Sequence, residues 1–106
     1  MLEITNFRNI KDKMFIDWKI YECIETEERY EMTASAERKG GPIGVIIKIF
    51  KEEQANNEYN VRIVYKQYGN EIYNDNWIKG GFDTMKTFLT NVGLIVSKYE
   101  SLRKIK

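Results

Sequence analysis

From Met85 to Leu102 the apolar residues Met85, Phe88, Leu89, Val92, Ile95, Val96, Tyr99 and Leu102 recur at three- and four-residue spacing. This period specifies a helix with one apolar face. The pattern extends the helix from about Asp83 to Lys104, with Asp83 at its amino end and Arg103, Lys104 and Lys106 at its carboxyl end, where the helix dipole favours each charge. At ~1.5 Å per residue such a helix is roughly 33 Å long, enough to cross a small sheet. A helix with one apolar face needs a partner layer, and the preceding residues supply one.

Those residues alternate with a period of two. In Met14–Ile24 the even positions Met14, Ile16, Trp18, Ile20 and Ile24 are apolar, which predicts a strand with that side inward and a bulge or an exit from the core at Glu22. Thr26-Glu27-Glu28 reads as a turn. Beyond it Tyr30, Met32, Ala34 and Ala36 point one way, and Arg29, Glu31, Thr33 and Ser35 the other. Lys39-Gly40-Gly41-Pro42 reads as a turn, followed by a well-covered strand over Ile43–Phe50. A polar loop, Lys51–Glu58, leads to Tyr59–Tyr68, with Tyr59, Val61, Ile63 and Tyr65 inward. Gly69-Asn70 reads as a turn, Glu71–Trp77 as a short edge strand or irregular chain, and Asn74-Asp75-Asn76 as a turn. Leu2, Ile4, Phe7 and Ile10 fit either an edge strand or a short helix.

The expected fold class is therefore α+β: an antiparallel sheet of four to five strands with one long C-terminal helix packed on one face. Residues 1–106 read as a single domain, because no Pro/Ser-rich linker interrupts them. Trp18, Ile47, Ile63, Phe88, Val92 and Val96 are the expected centre of the core.

Composition narrows the chemistry. The chain has no histidine, which removes the commonest general base and metal ligand. Its one cysteine excludes an internal disulfide and, with no histidine, a structural zinc site; it suits a reducing, cytoplasmic location. Neither a nucleophile elbow nor a phosphate-binding lysine loop is present. The longest apolar run, around Val45-Ile46-Ile47, is broken by Lys48, and the first residues lack the basic start and apolar stretch of a secretory signal. The expectation is a protein that is not an enzyme, with no cofactor, no metal and no membrane partner. Cys23, near Tyr21 and Glu25, reads as a structural or idle thiol. Asp17 and Lys19 read as a surface charge pair, and Lys79-Gly80-Gly81 as a plain loop-to-helix turn rather than an anion site, since Asp83 competes for the helix's positive end. An abundance of Ile, Lys, Asn and Tyr matches AT-rich genomes, including many phages and low-GC bacteria.

Charge is nearly balanced at +1, but residues 1–37 carry a net −4 and the remainder a net +5. One helix covers one face, so the other is expected to display Phe15, Lys19, Tyr21, Cys23, Arg29, Ile46, Lys48, Phe50, Arg62, Val64, Lys66 and Tyr68, with Asp17, Glu25 and Glu31. Within that face Tyr21, Lys48, Phe50, Arg62, Lys66 and Tyr68 are the candidate partner-binding residues. Leu94 is a further candidate: it lies off the helix stripe beside Gly93 and could meet a second chain, either a partner or an identical copy. Near-neutral charge favours a protein partner, as for a small inhibitor or immunity-type protein. Aromatics between basic residues also suit single-stranded nucleic acid. Four strands followed by a helix resembles, in topology, the transcriptional-coactivator and Whirly-type single-strand binders, and that resemblance implies nucleic-acid binding.

Overall fold

The computed structural model describes residues 2–4, 7, 17–81 and 85–102. Five strands precede one helix: β1 (Lys19–Glu25), β2 (Arg29–Ala36), β3 (Ile43–Ala55), β4 (Glu58–Gln67), β5 (Asn70–Gly80) and α1 (Met85–Leu102). The strands form one antiparallel sheet in the order β1-β2-β3-β4-β5, each paired with its sequence neighbour. The chain is thus an α+β meander followed by a helix. That helix is not long and apolar enough to cross a membrane.

Turn chemistry sets the hairpins. Thr26 Oγ1 accepts hydrogen bonds from the Glu28 and Arg29 amides, closing the β1–β2 turn. Between β4 and β5 both Tyr68 and Gly69 have positive φ, the backbone of a two-residue turn whose twist matches its strands. Between β2 and β3, Gly41 has a φ of 115°, and a Cβ there would lie 2.8 Å from the Tyr68 ring. Gly41 is therefore required twice, by its backbone angle and by the ring that crosses it.

The inner face carries the core. Tyr30, Met32 and Ala34 of β2, Val45, Ile47 and Ile49 of β3, and Val61, Ile63 and Tyr65 of β4 form one buried cluster with Phe88, Val92, Ile95, Val96 and Tyr99 of α1. Leu2, Ile4 and Phe7 complete it: Phe7 lies 4.7 Å from Tyr30 and meets Phe88 edge-on at 5.8 Å, and the Ile4 amide donates to the Tyr30 hydroxyl. At the other end Tyr65, Tyr73, Trp77 and Tyr99 pack ring against ring.

Several expectations need correction. In β1 the register slips between Ile20 and Glu22, so Tyr21 bulges out and the later residues change sides. Cys23 and Glu25 thus face inward with Met32 and Tyr30, while Glu22 and Ile24 join the outer face. Trp18 is half-buried against the core rather than at its centre. The span expected as a polar loop is mostly strand: β3 runs to Ala55, leaving only Asn56-Asn57 as the turn. Lys51, the first residue of that span, is buried, with Nζ 2.8 Å from Glu25 Oε2 and over the Tyr30 ring. Asn74-Asp75-Asn76 is not a turn but the middle of β5, an eleven-residue strand. Gly80 ends that strand, and Asn91 Nδ2 donates to the carbonyls of Gly80 and Gly81. Phe15, Ile10, Asp83, Arg103, Lys104 and Lys106 lie outside the described residues, as does the side chain of Met85.

Candidate functional site

The outer face is built by the residues between the core positions. Strand pairing sets Thr33, Ile46 and Val64 in one row, Glu31, Lys48 and Arg62 in the next, and Ser35, Gly44 and Lys66 in the third. Arg29 and Phe50 continue the series at one end, and Lys19 joins Ser35 from β1. No second layer covers this face among the described residues. Even so, Val64 is only 8% exposed. Ile46 and Phe50 are half-buried beside it. The face therefore has an aliphatic centre and a charged surround.

Charge is distributed in a specific way. Glu31 Oε1 lies 3.1 Å from Arg29 Nε and 3.9 Å from Lys48 Nζ, so one carboxylate serves two cations. Arg62 is exposed and donates from Nε to Asn74 Oδ1 at 3.2 Å. Lys19, Arg29, Lys48, Arg62 and Lys66 oppose Glu22, Glu31, Glu58 and Glu71 on this face, a small excess of positive charge. At one end of the sheet Glu27, Glu28, Glu52 and Glu53 line an open groove of about 520 Å³ beside Phe50 and Asn60. The basic field thus ends in an acidic margin.

Of the sequence candidates, Lys48, Phe50, Arg62 and Lys66 come together on β3 and β4. Tyr21 stands apart at the β1 bulge, 58% exposed, with Lys19 Nζ 5.2 Å above its ring. Tyr68 sits at the rim, against the β2–β3 turn. Leu94 is also 58% exposed but belongs to α1, apart from the candidates on β3 and β4. Asp17 and Lys19 do not pair as read from the sequence: Asp17 Oδ2 lies 3.0 Å from Arg38. Among the described residues no group of three or more His, Cys, Asp or Glu side chains could hold a metal ion.

Two polar clusters escaped sequence reasoning. Arg38, just beyond β2, bonds Glu100 of α1 through Nε at 2.6 Å as well as Asp17, fixing the helix to the β2–β3 corner. Burial alone would lower the Arg38 pKa, but Glu100 and Asp17 outweigh it and hold the guanidinium above its ordinary value. On the β5 side the Tyr99 hydroxyl donates to Asp75 at 2.6 Å and accepts from Trp77 Nε1 at 3.0 Å. Burial, then the Asp75 hydrogen bond, push the Tyr99 phenol up to about 12. No spacing rule links partners 62 residues apart, as Arg38 and Glu100 are. Both clusters tie helix to sheet.

No protein-family model matches this chain, and no curated protein or solved structure matches it.

Proposed function

We propose that the protein is a non-catalytic binding module, of the inhibitor or immunity type, that acts by covering a partner protein's surface with the outer face of its sheet. The observation that carries this reading is the aliphatic centre of that face. Ile46 and Val64 are directly paired there, beneath a ring of charged and polar side chains. An apolar centre within a polar rim is the anatomy of a protein–protein contact. Base stacking instead needs several flat rings at the middle of a sheet; Phe50 lies on the central strand but at the end of its pairing with β2, and Tyr21 and Tyr68 stand at the periphery. The matching partner carries an apolar patch opposite Ile46 and Val64, with acidic groups opposite Lys48 and Arg62. A charge reversal at Lys48 or Arg62 then slows association and weakens the complex.

The test compares tagged wild-type protein with the Lys48→Glu/Arg62→Glu variant, each recovered from the native host and analysed for copurifying material. One protein at fixed stoichiometry, lost in the variant, supports the proposal. Nuclease-sensitive material, together with oligonucleotide binding that weakens in Tyr21→Ala and Tyr68→Ala, replaces it with single-strand binding.

A further inference from the structure

β5 forms one edge of the sheet, and among the described residues its backbone pairs with β4 alone. Sheet edges are normally shortened, bulged or charged, because an open row of backbone donors and acceptors invites another strand. The opposite edge is treated in this way: β1 has seven residues, a bulge at Tyr21, and Lys19 and Glu22 facing out. β5 is left open. It has eleven residues, and from Tyr73 to Gly80 its register with β4 is unbroken.

Apolar surface gathers along the same edge in both layers. Ile78 of β5 is 60% exposed on the outer face. The flank of α1 above β5 is identified by its contacts: Asn91 bonds the Gly80 and Gly81 carbonyls, Lys98 Nζ lies 4.4 Å from the Trp77 ring, and the Leu102 carbonyl accepts from Tyr73. Leu94 falls between Asn91 and Lys98, three and four residues from them, on that flank. Leu94 and Leu102 are 58% and 50% exposed, so of the five large exposed apolar side chains among the described residues three border one edge strand.

We propose that β5 pairs antiparallel with β5 of a second copy about a twofold axis at Trp77, joining two five-stranded sheets into one. Charge selects this register. With the axis at Trp77, Asp75 of each copy stands opposite Lys79 of the other, and both belong to the helix-side row of β5. Opposite charges across a strand pair attract. An axis at Asp75 would instead oppose two carboxylates and run the pairing into the slip between Tyr65 and Lys66. The contact is self-complementary, so it closes at two copies. It does not depend on what the outer face binds.

Sedimentation equilibrium of the full chain tests the pairing. We expect a dimer at about 100 μM and an association weakened roughly tenfold or more in Lys79→Glu, which replaces two attractions by two repulsions. The axis at Trp77 also sets Asn76 opposite Ile78 of the second copy, within disulfide reach. With Cys23 replaced by Ser, an oxidised mixture of the Asn76→Cys and Ile78→Cys single variants should give a cross-linked dimer that neither gives alone. A chain that stays monomeric overturns the proposal, as does undiminished association of a natively folded Lys79→Glu variant. Preferential cross-linking of Asn74→Cys to Asn76→Cys overturns the Trp77 register.

Discussion

Ile46 and Ile47 are neighbours in β3, yet they enter different environments. Ile47 points between the sheet and α1, is 1% exposed and touches the same cluster as Phe88 and Val92. Ile46 points away, half-buried among side chains that reach past it from three strands. The inner face is closed by a second layer, so its side chains can be apolar without exception over β3 from Ile43 to Ile49. Among the described residues no second layer covers the outer face, where Lys48, Arg62 and Glu31 stand between the apolar positions. A single strand therefore separates the residues that hold the fold from those free to meet a partner.

The largest test of this contrast lies on the inner side. Phe88→Ala should cost about 3–5 kcal/mol in a denaturant titration, as expected when a fully buried ring leaves a cavity. A loss below about 1 kcal/mol would mean that α1 does not pack on this face. Next come the two isoleucines: Ile47→Ala should cost about 2–5 kcal/mol, and Ile46→Ala well below that. Equal losses would erase the distinction between the faces.

The Tyr99 hydroxyl gives a smaller effect with its own pH signature. Its phenol is raised to about 12 in the folded chain, against an ordinary value of 10.0. Between those values the unfolded chain has lost the proton that the folded chain keeps. Stability from this group is therefore complete below pH 10 and declines as pH rises towards 12. Tyr99→Phe should flatten that part of the stability profile and cost roughly 1 kcal/mol at neutral pH. The smallest effect belongs to the outer face. Lys48→Ala and Arg62→Ala should each change stability by less than about 0.5 kcal/mol, while weakening partner capture.

Legibility in the sequence followed the same division. β2, the start of β3, β4 and α1 could be read because each has a constant period and a covered side. In β1 the bulge expected at Glu22 falls at Tyr21, and that slip reverses every later side chain, including Cys23 and Glu25. The edge-strand alternative for Glu71–Trp77 holds, but the far half of β3 and the middle of β5 were hidden for another reason. Glu52-Glu53-Gln54 and Asn74-Asp75-Asn76 have poor strand propensity and little burial, and pairing with neighbouring strands holds them extended. The outer-face candidates on β3 and β4 were legible because they alternate with core residues. Leu94 was legible as an exposed position off the helix stripe, whereas the rim position of Tyr68 depends on turns that a period cannot encode.

The order of elements has a consequence for synthesis. Each strand pairs with the one made just before it, so hairpins can form as the chain leaves the ribosome. α1 follows all five strands, and it alone supplies Phe88, Val92, Ile95, Val96 and Tyr99 to the core. Until it emerges, a nascent sheet presents Val45, Ile47, Val61 and Ile63 to water, an adhesive surface of the kind that recruits chaperones or aggregates. Emergence of α1 is thus the step that covers this apolar face.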